Sequence, residues 1–221
     1  MKRSVPAPLD IARDEPDGGA KPTAVVFDCG NVLYGWDPDS FLVRQIADDA
    51  ARLKFIEEVD LWRWHESLDG GRPFDEAAAE LSEKFPDYAH LISAWGDRFG
   101  ETISDPVPGV HAIVEELDAR GVPLYVITNF SSEFWKPFYE KEHAFFGRFR
   151  DVVVSGEEKL LKPDPAIYYL ALDRFGLRAE QALFVDDRLI NVHGAEAVGM
   201  HGHLFTSADD LRTRLEAEGL L

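Results

Sequence analysis

Short apolar runs alternate along the chain with stretches whose apolar residues recur every three or four positions. The runs have the β-branched character of buried strands, and they are Ala24–Phe27, Pro123–Ile127, Asp151–Val154 and Ala182–Val185. The helical patterns, each followed by a glycine that can end a helix, cover Gly109–Arg120, Pro165–Phe175 and Asn191–Val198. Strands that alternate with helices predict an α/β fold, a doubly wound parallel sheet with helices on both faces.

Residues 37–105 break this alternation, because their apolar residues repeat at helical spacing and no strand is predicted among them. The clearest of these patterns predict helices over Phe74–Phe85 and Leu91–Phe99. We therefore predict an all-α cap domain over residues 37–105, inserted between two parts of the core, 23–36 and 106–221. An insertion directly after the first strand lies over the carboxyl edge of the sheet and can act as a lid. The Pro- and Gly-rich residues 105–109 are the predicted hinge.

Charge and composition narrow the choice of partners. The 221 residues carry a formal net charge of −18, and this field repels nucleic acid. The single cysteine excludes an internal disulfide and fits a reducing compartment. No apolar run has the length of about 18 residues that a membrane span needs. We expect a cytoplasmic protein with a mobile tail over residues 1–22, either a monomer or a homodimer.

Candidate chemistry follows the ends of the predicted strands. Asp28 ends the first, Thr128 and Asn129 follow the second, Lys162 comes after the third, and Asp186 and Asp187 end the fourth. In a parallel sheet these ends share one edge, which is where ligands bind in doubly wound folds. The sequence therefore predicts one cleft that holds three carboxylates, one ammonium group, a hydroxyl and an amide.

Three neighbouring carboxylates repel one another unless a cation joins them. Hard oxygen ligands with open positions suit Mg²⁺, which often bridges a substrate phosphate. Asp28 could then attack phosphorus to form an aspartyl-phosphate. Lys162 would balance the developing charge, while Thr128 and Asn129 would hold the equatorial phosphate oxygens.

These segments resemble the four motifs of the haloacid dehalogenase-like hydrolase superfamily, in the same order and over about residues 24–205. The resemblance rests on four sequences, Val25–Leu33, Leu124–Asn129, Lys162–Tyr168 and Leu183–Asp187. It implies a Rossmann-like core with the small α-helical cap of that superfamily. The cap segment from Trp62 to Gly70 is similar to the branch of glucose-1-phosphate-type and related sugar-phosphate phosphatases.

The resemblance also implies roles for individual residues. Asp28 would be the nucleophile and a metal ligand, and the Gly30 carbonyl a second metal contact. Asp187 would bind Mg²⁺ directly, with Asp186 nearby or acting through water. Lys162, Thr128 and Asn129 would bind the phosphate of a small phosphorylated metabolite, which the branch suggests is a sugar phosphate.

One departure leaves alternatives open. Phosphatases of this superfamily usually carry a second Asp two residues after the nucleophile as general acid and base, and this chain has Gly30 there. The related branch also has Gly-Asn at this point. A catalytically impaired binding protein is therefore one alternative. A 2-haloacid dehalogenase, in which the Asp attacks carbon without a metal, is another, although that branch lacks the paired acids seen here at Asp186 and Asp187.

Several further residues carry weaker signals. Trp62, Trp64 and His65 are candidates for substrate contacts from the cap, although aromatic residues at helical spacing usually pack in a core. The side chain of Cys29 should point to the opposite side of the strand from that of Asp28, and we expect it to pack in the core. The histidines at 193, 201 and 203 show no metal-ligand spacing, and we expect them on the surface or in loops.

Overall fold

A computed structural model describes residues 21–221. The predicted tail lies outside the described residues, except for its last two positions. Five parallel strands form the central sheet in the order β5-β4-β1-β6-β7. They are β1 (Ala24–Phe27), β4 (Leu124–Thr128), β5 (Asp151–Val154), β6 (Ala182–Asp186) and β7 (His201–Leu204).

Strand β1 lies in the middle of the sheet because both of its faces are apolar. All four of its residues are fully buried, which is typical of a parallel strand covered by helices on both sides. Val25 and Phe27 join one hydrophobic cluster, whereas Ala24 and Val26 join the cluster on the opposite face. The predicted doubly wound α/β core is thereby confirmed.

Seven helices of the described chain belong to this core. Those that supply residues to the cluster around Val25 are α6 (Val110–Ala119), α7 (Ser132–Lys141), α8 (His143–Phe146) and α12 (Ala208–Glu218). Helices α10 (Pro165–Phe175) and α11 (Leu189–Ala197) cover the other face. The short α9 (Ser155–Glu158) follows β5 directly. Helix α10 begins where the carboxylate of Asp164 accepts the Ala166 N–H, and it ends at Gly176, whose φ of 65° is left-handed.

The helices between β1 and α6 form the cap. They are α1 (Pro38–Gln45), α2 (Asp49–Glu58), α3 (Leu61–Asp69), α4 (Phe74–Lys84) and α5 (Ala89–Asp97), with 3₁₀ turns at Pro86–Tyr88 and Phe99–Thr102. Their buried residues form a separate hydrophobic cluster, against which Phe130 and Phe134 of the core also pack. Phe99 stacks on Phe134 with ring centroids 4.3 Å apart, so apolar contact joins the cap to the core.

Three strands were not predicted. Strand β7 is a partly exposed edge strand of sequence His-Gly-His-Leu, and therefore lacks the apolar run by which a buried strand is recognised. Strands β2 (Tyr34–Trp36) and β3 (Ile103–Pro106) form an antiparallel pair where the chain enters and leaves the cap. The prediction of no strand over residues 37–105 is wrong at Ile103, and the predicted hinge over 105–109 begins inside β3. None of the helices in residues 21–221 is long and apolar enough to cross a membrane.

Candidate active site

The predicted site residues converge at the carboxyl edge of the sheet. Asp28 directly follows β1, and Asp186 is the last residue of β6, the strand paired with β1. Asp28 lines a cavity of about 680 Å³ together with Lys162 and Asp187, whereas Asp186 is fully buried; the cap contributes Trp62, His65 and Asp69 to the lining. The cap therefore closes over the sheet edge, as the position of the insertion predicts.

Lys162 is the buried cation of this site. Its Nζ lies 2.7 Å from Asp28 Oδ1 and 2.7 Å from Asp186 Oδ2. The Lys162 side chain is 1% exposed, so both ion pairs are shielded from bulk water. These two carboxylates raise the pKa of the ammonium group against the opposing effect of burial. Lys162 is therefore a fixed positive charge between two carboxylates.

Asp28 and Asp186 together carry one negative charge more than Lys162 can balance. The pKa of Asp28 is raised to about 7: burial and the charge of Asp186 raise it, while Lys162 acts in the opposite direction. Oδ1 of Asp28 accepts hydrogen bonds from Lys162 Nζ and from the Cys29 N–H, the latter at 2.7 Å. Its second oxygen is therefore the one available to a metal ion or to phosphorus.

Asp186 and Asp187 differ in how the protein holds them. Both oxygens of Asp186 accept hydrogen bonds, from Lys162, from the Arg188 N–H and from the Asn191 amide. Asp187 is half-buried and accepts one bond at 3.2 Å from Asn31. Burial and the charge of Asp186 raise the pKa of Asp187. Asp187 thus has free acceptor capacity, whereas Asp186 is largely satisfied by protein donors.

The donor set fits a hard divalent cation. One oxygen from each of Asp28, Asp186 and Asp187 lies within 4.8 Å of the others. Burial, together with the charge of Asp186, raises the pKa of both Asp28 and Asp187, and a bound cation would offset both effects. Gly30 lines the same cavity. Oxygen ligands of this kind match Mg²⁺, as the sequence predicts.

The two predicted phosphate ligands at the end of β4 are placed differently. Asn129 lines the cavity, and its amide group makes two bonds with the backbone of Lys162, one donated to the carbonyl (3.0 Å) and one accepted from the N–H (2.9 Å). The observed contact thus positions Lys162. Thr128 is buried at the end of β4 and is not among the residues that line the cavity.

The three candidate substrate contacts from the cap also differ in where their side chains lie. Trp62 is 42% exposed and lines the cavity. His65 is buried between Trp36 and Phe99, and burial lowers its pKa to about 4, so it is neutral at pH 7. Trp64 points into the cap core instead, where its Nε1 donates to the Ala77 carbonyl at 3.1 Å. The expectation that Trp64 contacts substrate is therefore wrong, because it lies on the opposite side of α3 from Trp62.

The remaining expectations concern Cys29 and the histidines. The Cys29 side chain packs in the core, and burial raises its pKa, so it is no thiolate nucleophile. His193 is exposed, as expected. His201 and His203 instead lie on β7 and are half-buried. Their placement was not expected, because β7 was not predicted. His203 Nε2 lies 3.4 Å from Asp210.

Sequence reasoning missed several polar residues that line the cavity, among them Asn31, Arg63, Asp69 and Asn191. Asn31 lies within the first motif and Asn191 follows the fourth by four residues, and this position was the only signal. Asn31 has a left-handed φ of 57°, which asparagine tolerates, and its side chain accepts the Trp36 N–H. Arg63 and Asp69 belong to the cap, where charged residues usually face solvent.

Together, the parallel sheet, the cap and the buried cluster of acids and lysine define a capped α/β enzyme. Residues 22–199 match the family model of haloacid dehalogenase-like hydrolases. The chain belongs to this family, and the predicted family and the hydrolase class are confirmed.

Individual relatives agree with this assignment. A sesquiterpene phosphatase of Aspergillus oryzae is 27% identical over 205 residues, covering 90% of this chain and 96% of that protein. A phosphoglycolate phosphatase of Pectobacterium atrosepticum is 33% identical over 132 residues, or 59% of this chain, and the match spans only about half (52%) of that relative. A haloacid dehalogenase family enzyme of Bacteroides thetaiotaomicron shares the fold, with a TM-score of 0.68 and 18% identity, over 89% of this chain and 99% of that one.

Proposed function

We propose that this protein is a Mg²⁺-dependent phosphatase that hydrolyses a small organic phosphate monoester through an aspartyl-phosphate on Asp28. The observation that carries the proposal is the buried cluster of Asp28, Lys162 and Asp186, with Asp187 beside it, at the base of the cavity under the cap. Such a cluster holds more negative than positive charge, and a divalent cation together with a phosphate group would complete it.

Each residue has a distinct part in this proposal. Asp28 attacks phosphorus, and Lys162 stabilises the charge on the transferring phosphoryl group. Asp187 and the Gly30 carbonyl would hold Mg²⁺ with Asp28, and Asp186 would act through water. When bound, Mg²⁺ neutralises the phosphate oxygens. Asn129, directly after β4, is the proposed phosphate contact and also positions Lys162, whereas Thr128 is buried away from the cavity.

Two observations favour ester hydrolysis over dehalogenation. Attack on carbon needs no cation site, yet the structure gathers three carboxylates within 4.8 Å. The two relatives described above are both named phosphatases. The names also support a small phosphorylated metabolite as substrate. A sugar phosphate remains one member of that class.

A panel of phosphate esters tests the proposal. We expect the purified protein to release phosphate with added Mg²⁺ and to lose this activity with EDTA. Because the raised pKa of Asp28, about 7, lets protons compete with the metal, Mg²⁺ should raise the melting temperature more at pH 8 than at pH 5.5. Chloride release from 2-chloropropionate in EDTA would identify a dehalogenase instead. Magnesium binding with no turnover of either substrate would identify a binding protein.

The aromatic wall of the cavity predicts how the organic group of the substrate is held. Trp62 of the cap packs against Trp36, with ring centroids 6.2 Å apart, and both line the cavity. An aromatic contact contributes about 1 kcal/mol beyond area burial. Trp62→Ala should therefore raise the KM for 1-naphthyl phosphate about five-fold and leave that for acetyl phosphate nearly unchanged. Tyr169→Ala, which removes an exposed ring on α10, is the control. An equal effect on both substrates would contradict the contact.

A further inference from the structure

The chemistry proposed above lacks a proton donor, because Gly30 occupies the usual position of the acid and base. When the ester bond breaks, the leaving oxygen needs a proton, and water needs a base when it later attacks the aspartyl-phosphate. Space does not prevent a side chain at this position, since a Cβ on Gly30 would meet its nearest neighbour, Trp36, only at 4.0 Å. The group that replaces it must be a titratable side chain of the same cavity.

The cap supplies three carboxylates to the cavity, and they are not equivalent. Asp60 and Glu66 are exposed, whereas the side chain of Asp69 is 15% exposed. Asp69 is the last residue of α3 and faces the core. The exposed pair is solvated, so of these cap groups Asp69 alone combines access to the cavity with shielding from water.

Contacts from the core hold Asp69 in place. Its carbonyl accepts a 2.6 Å bond from the hydroxyl of Ser155, at the start of α9. Its carboxylate accepts the backbone N–H of Ser131, in the loop between β4 and α7. The same loop contains Asn129, which positions Lys162. A cap carboxylate is thus fixed to the loop beside the Lys162–Asp28 cluster.

We propose that Asp69 is the general acid and base of this enzyme, taking the role that Gly30 cannot fill. This inference rests on the proposed phosphatase function. In the first step an oxygen of Asp28 bonds to phosphorus, the ester P–O bond breaks, and the leaving oxygen takes the proton of Asp69 to become an alcohol. In the second step ionised Asp69 takes a proton from water, whose oxygen bonds to phosphorus. The Asp28–phosphorus bond then breaks, which releases phosphate and regenerates both carboxyl groups.

The electrostatic surroundings of Asp69 suit both steps. The pKa of Asp69 is raised to about 7: burial and the charges of Glu66 and Asp28 raise it, while Lys162 and the Ser131 N–H act in the opposite direction. His65, whose Nε2 lies 3.7 Å from Asp69, is neutral because burial lowers its pKa to about 4. No imidazolium therefore holds Asp69 in the ionised form. Both protonation states are populated near pH 7, as a group that gives and then takes a proton requires.

Asp69→Asn separates the two steps, since the amide oxygen can still accept the Ser131 N–H. With 2-phenylethyl phosphate, whose leaving group needs a proton, we expect the first step to slow by about 10²–10³-fold. With 4-nitrophenyl phosphate, whose leaving group needs none, we expect a burst of one nitrophenolate per enzyme. Slow turnover should follow, with phosphorylated Asp28 visible by intact mass. The limb of the wild-type kcat/KM pH profile near pH 7 should disappear, and Asp69→Glu should restore part of the turnover of 2-phenylethyl phosphate.

Glu66→Gln is the matched control, because it removes a cavity carboxylate one helical turn away. It should retain both the release of 2-phenylethanol and the turnover of 4-nitrophenyl phosphate, with the limb near pH 7 shifted to lower pH because the charge of Glu66 no longer raises the pKa of Asp69. The inference is overturned if Asp69→Asn releases 2-phenylethanol at the wild-type rate, or if it slows the first step equally for both esters. Absence of Mg²⁺-dependent turnover by the wild-type protein would contradict the phosphatase proposal itself, and the role of Asp69 with it.

Discussion

Replacing Asp28 with Asn is expected to lower phosphatase turnover by about 10⁴-fold or more, equivalent to ~5.5 kcal/mol of transition-state stabilisation. An amide oxygen is a far weaker nucleophile than a carboxylate, and no aspartyl-phosphate can form on it. The measurement is steady-state phosphate release with Mg²⁺, accompanied by intact mass after a quench. Phosphorylation should appear on the wild-type protein and be absent from the variant.

The same substitution should not weaken the fold. Asp28, Asp186 and Lys162 are two carboxylates around one ammonium group, and the uncharged amide of Asp28→Asn would leave Lys162 and Asp186 as a neutral pair. The folded pKa of Asp28 is raised to about 7, so its contribution to stability is present below its unfolded pKa and is lost as the pH rises through 7. Without metal, the stability of the variant relative to wild type should therefore increase from pH 5 to pH 8 in urea denaturation.

A surface substitution controls for the loss of a carboxylate as such. Asp173→Asn on α10 removes an exposed carboxylate and should change neither turnover nor the pH dependence of stability. Full activity of Asp28→Asn in freshly prepared protein would remove Asp28 from the chemistry. A variant that is inactive but markedly less stable at pH 8 would show that Asp28 is held by favourable pairing, contrary to its raised pKa.

The core of the site could be predicted because a parallel sheet brings distant residues to one edge. Asp28, Lys162 and Asp186 are separated by up to 158 positions, yet each follows a strand whose apolar run is visible in the sequence. Strand order then places them together. Strand β7 gave no such signal, because an edge strand needs only one covered face, and its alternating His and Gly residues contribute little apolar surface.

The cap could be predicted as helical but not as a set of contacts. Trp62, Trp64 and His65 lie within one turn of α3, and periodicity alone does not say which faces the core. Packing against α4 buries Trp64, whereas the cavity receives Trp62. Asp69 stands out only through its tertiary partners Ser131 and Ser155, which are more than 60 positions away in the sequence.

Replacing Lys162 with Met is expected to reduce both activity and stability. Turnover should fall by about 10³-fold, because the charge that develops on the phosphoryl group loses its buried ammonium partner. The variant also leaves Asp28 and Asp186 buried without the cation that now lies 2.7 Å from each. Removing one partner of a buried ion pair costs about 3–5 kcal/mol of unfolding free energy. Urea denaturation without metal at pH 8 measures this loss.

The pH dependence distinguishes this electrostatic cause from a simple packing defect. Protonation of Asp28, whose pKa is already raised and should rise further without Lys162, relieves the repulsion between the two carboxylates. The deficit should therefore be smallest near pH 5 and grow as the pH rises to 8, and Mg²⁺ at pH 8 should recover part of it. Lys136→Met, an exposed substitution on α7, should show neither effect. A deficit of equal size at pH 5 and pH 8, unchanged by Mg²⁺, would assign the loss to packing and contradict the charge balance that the proposed metal site requires.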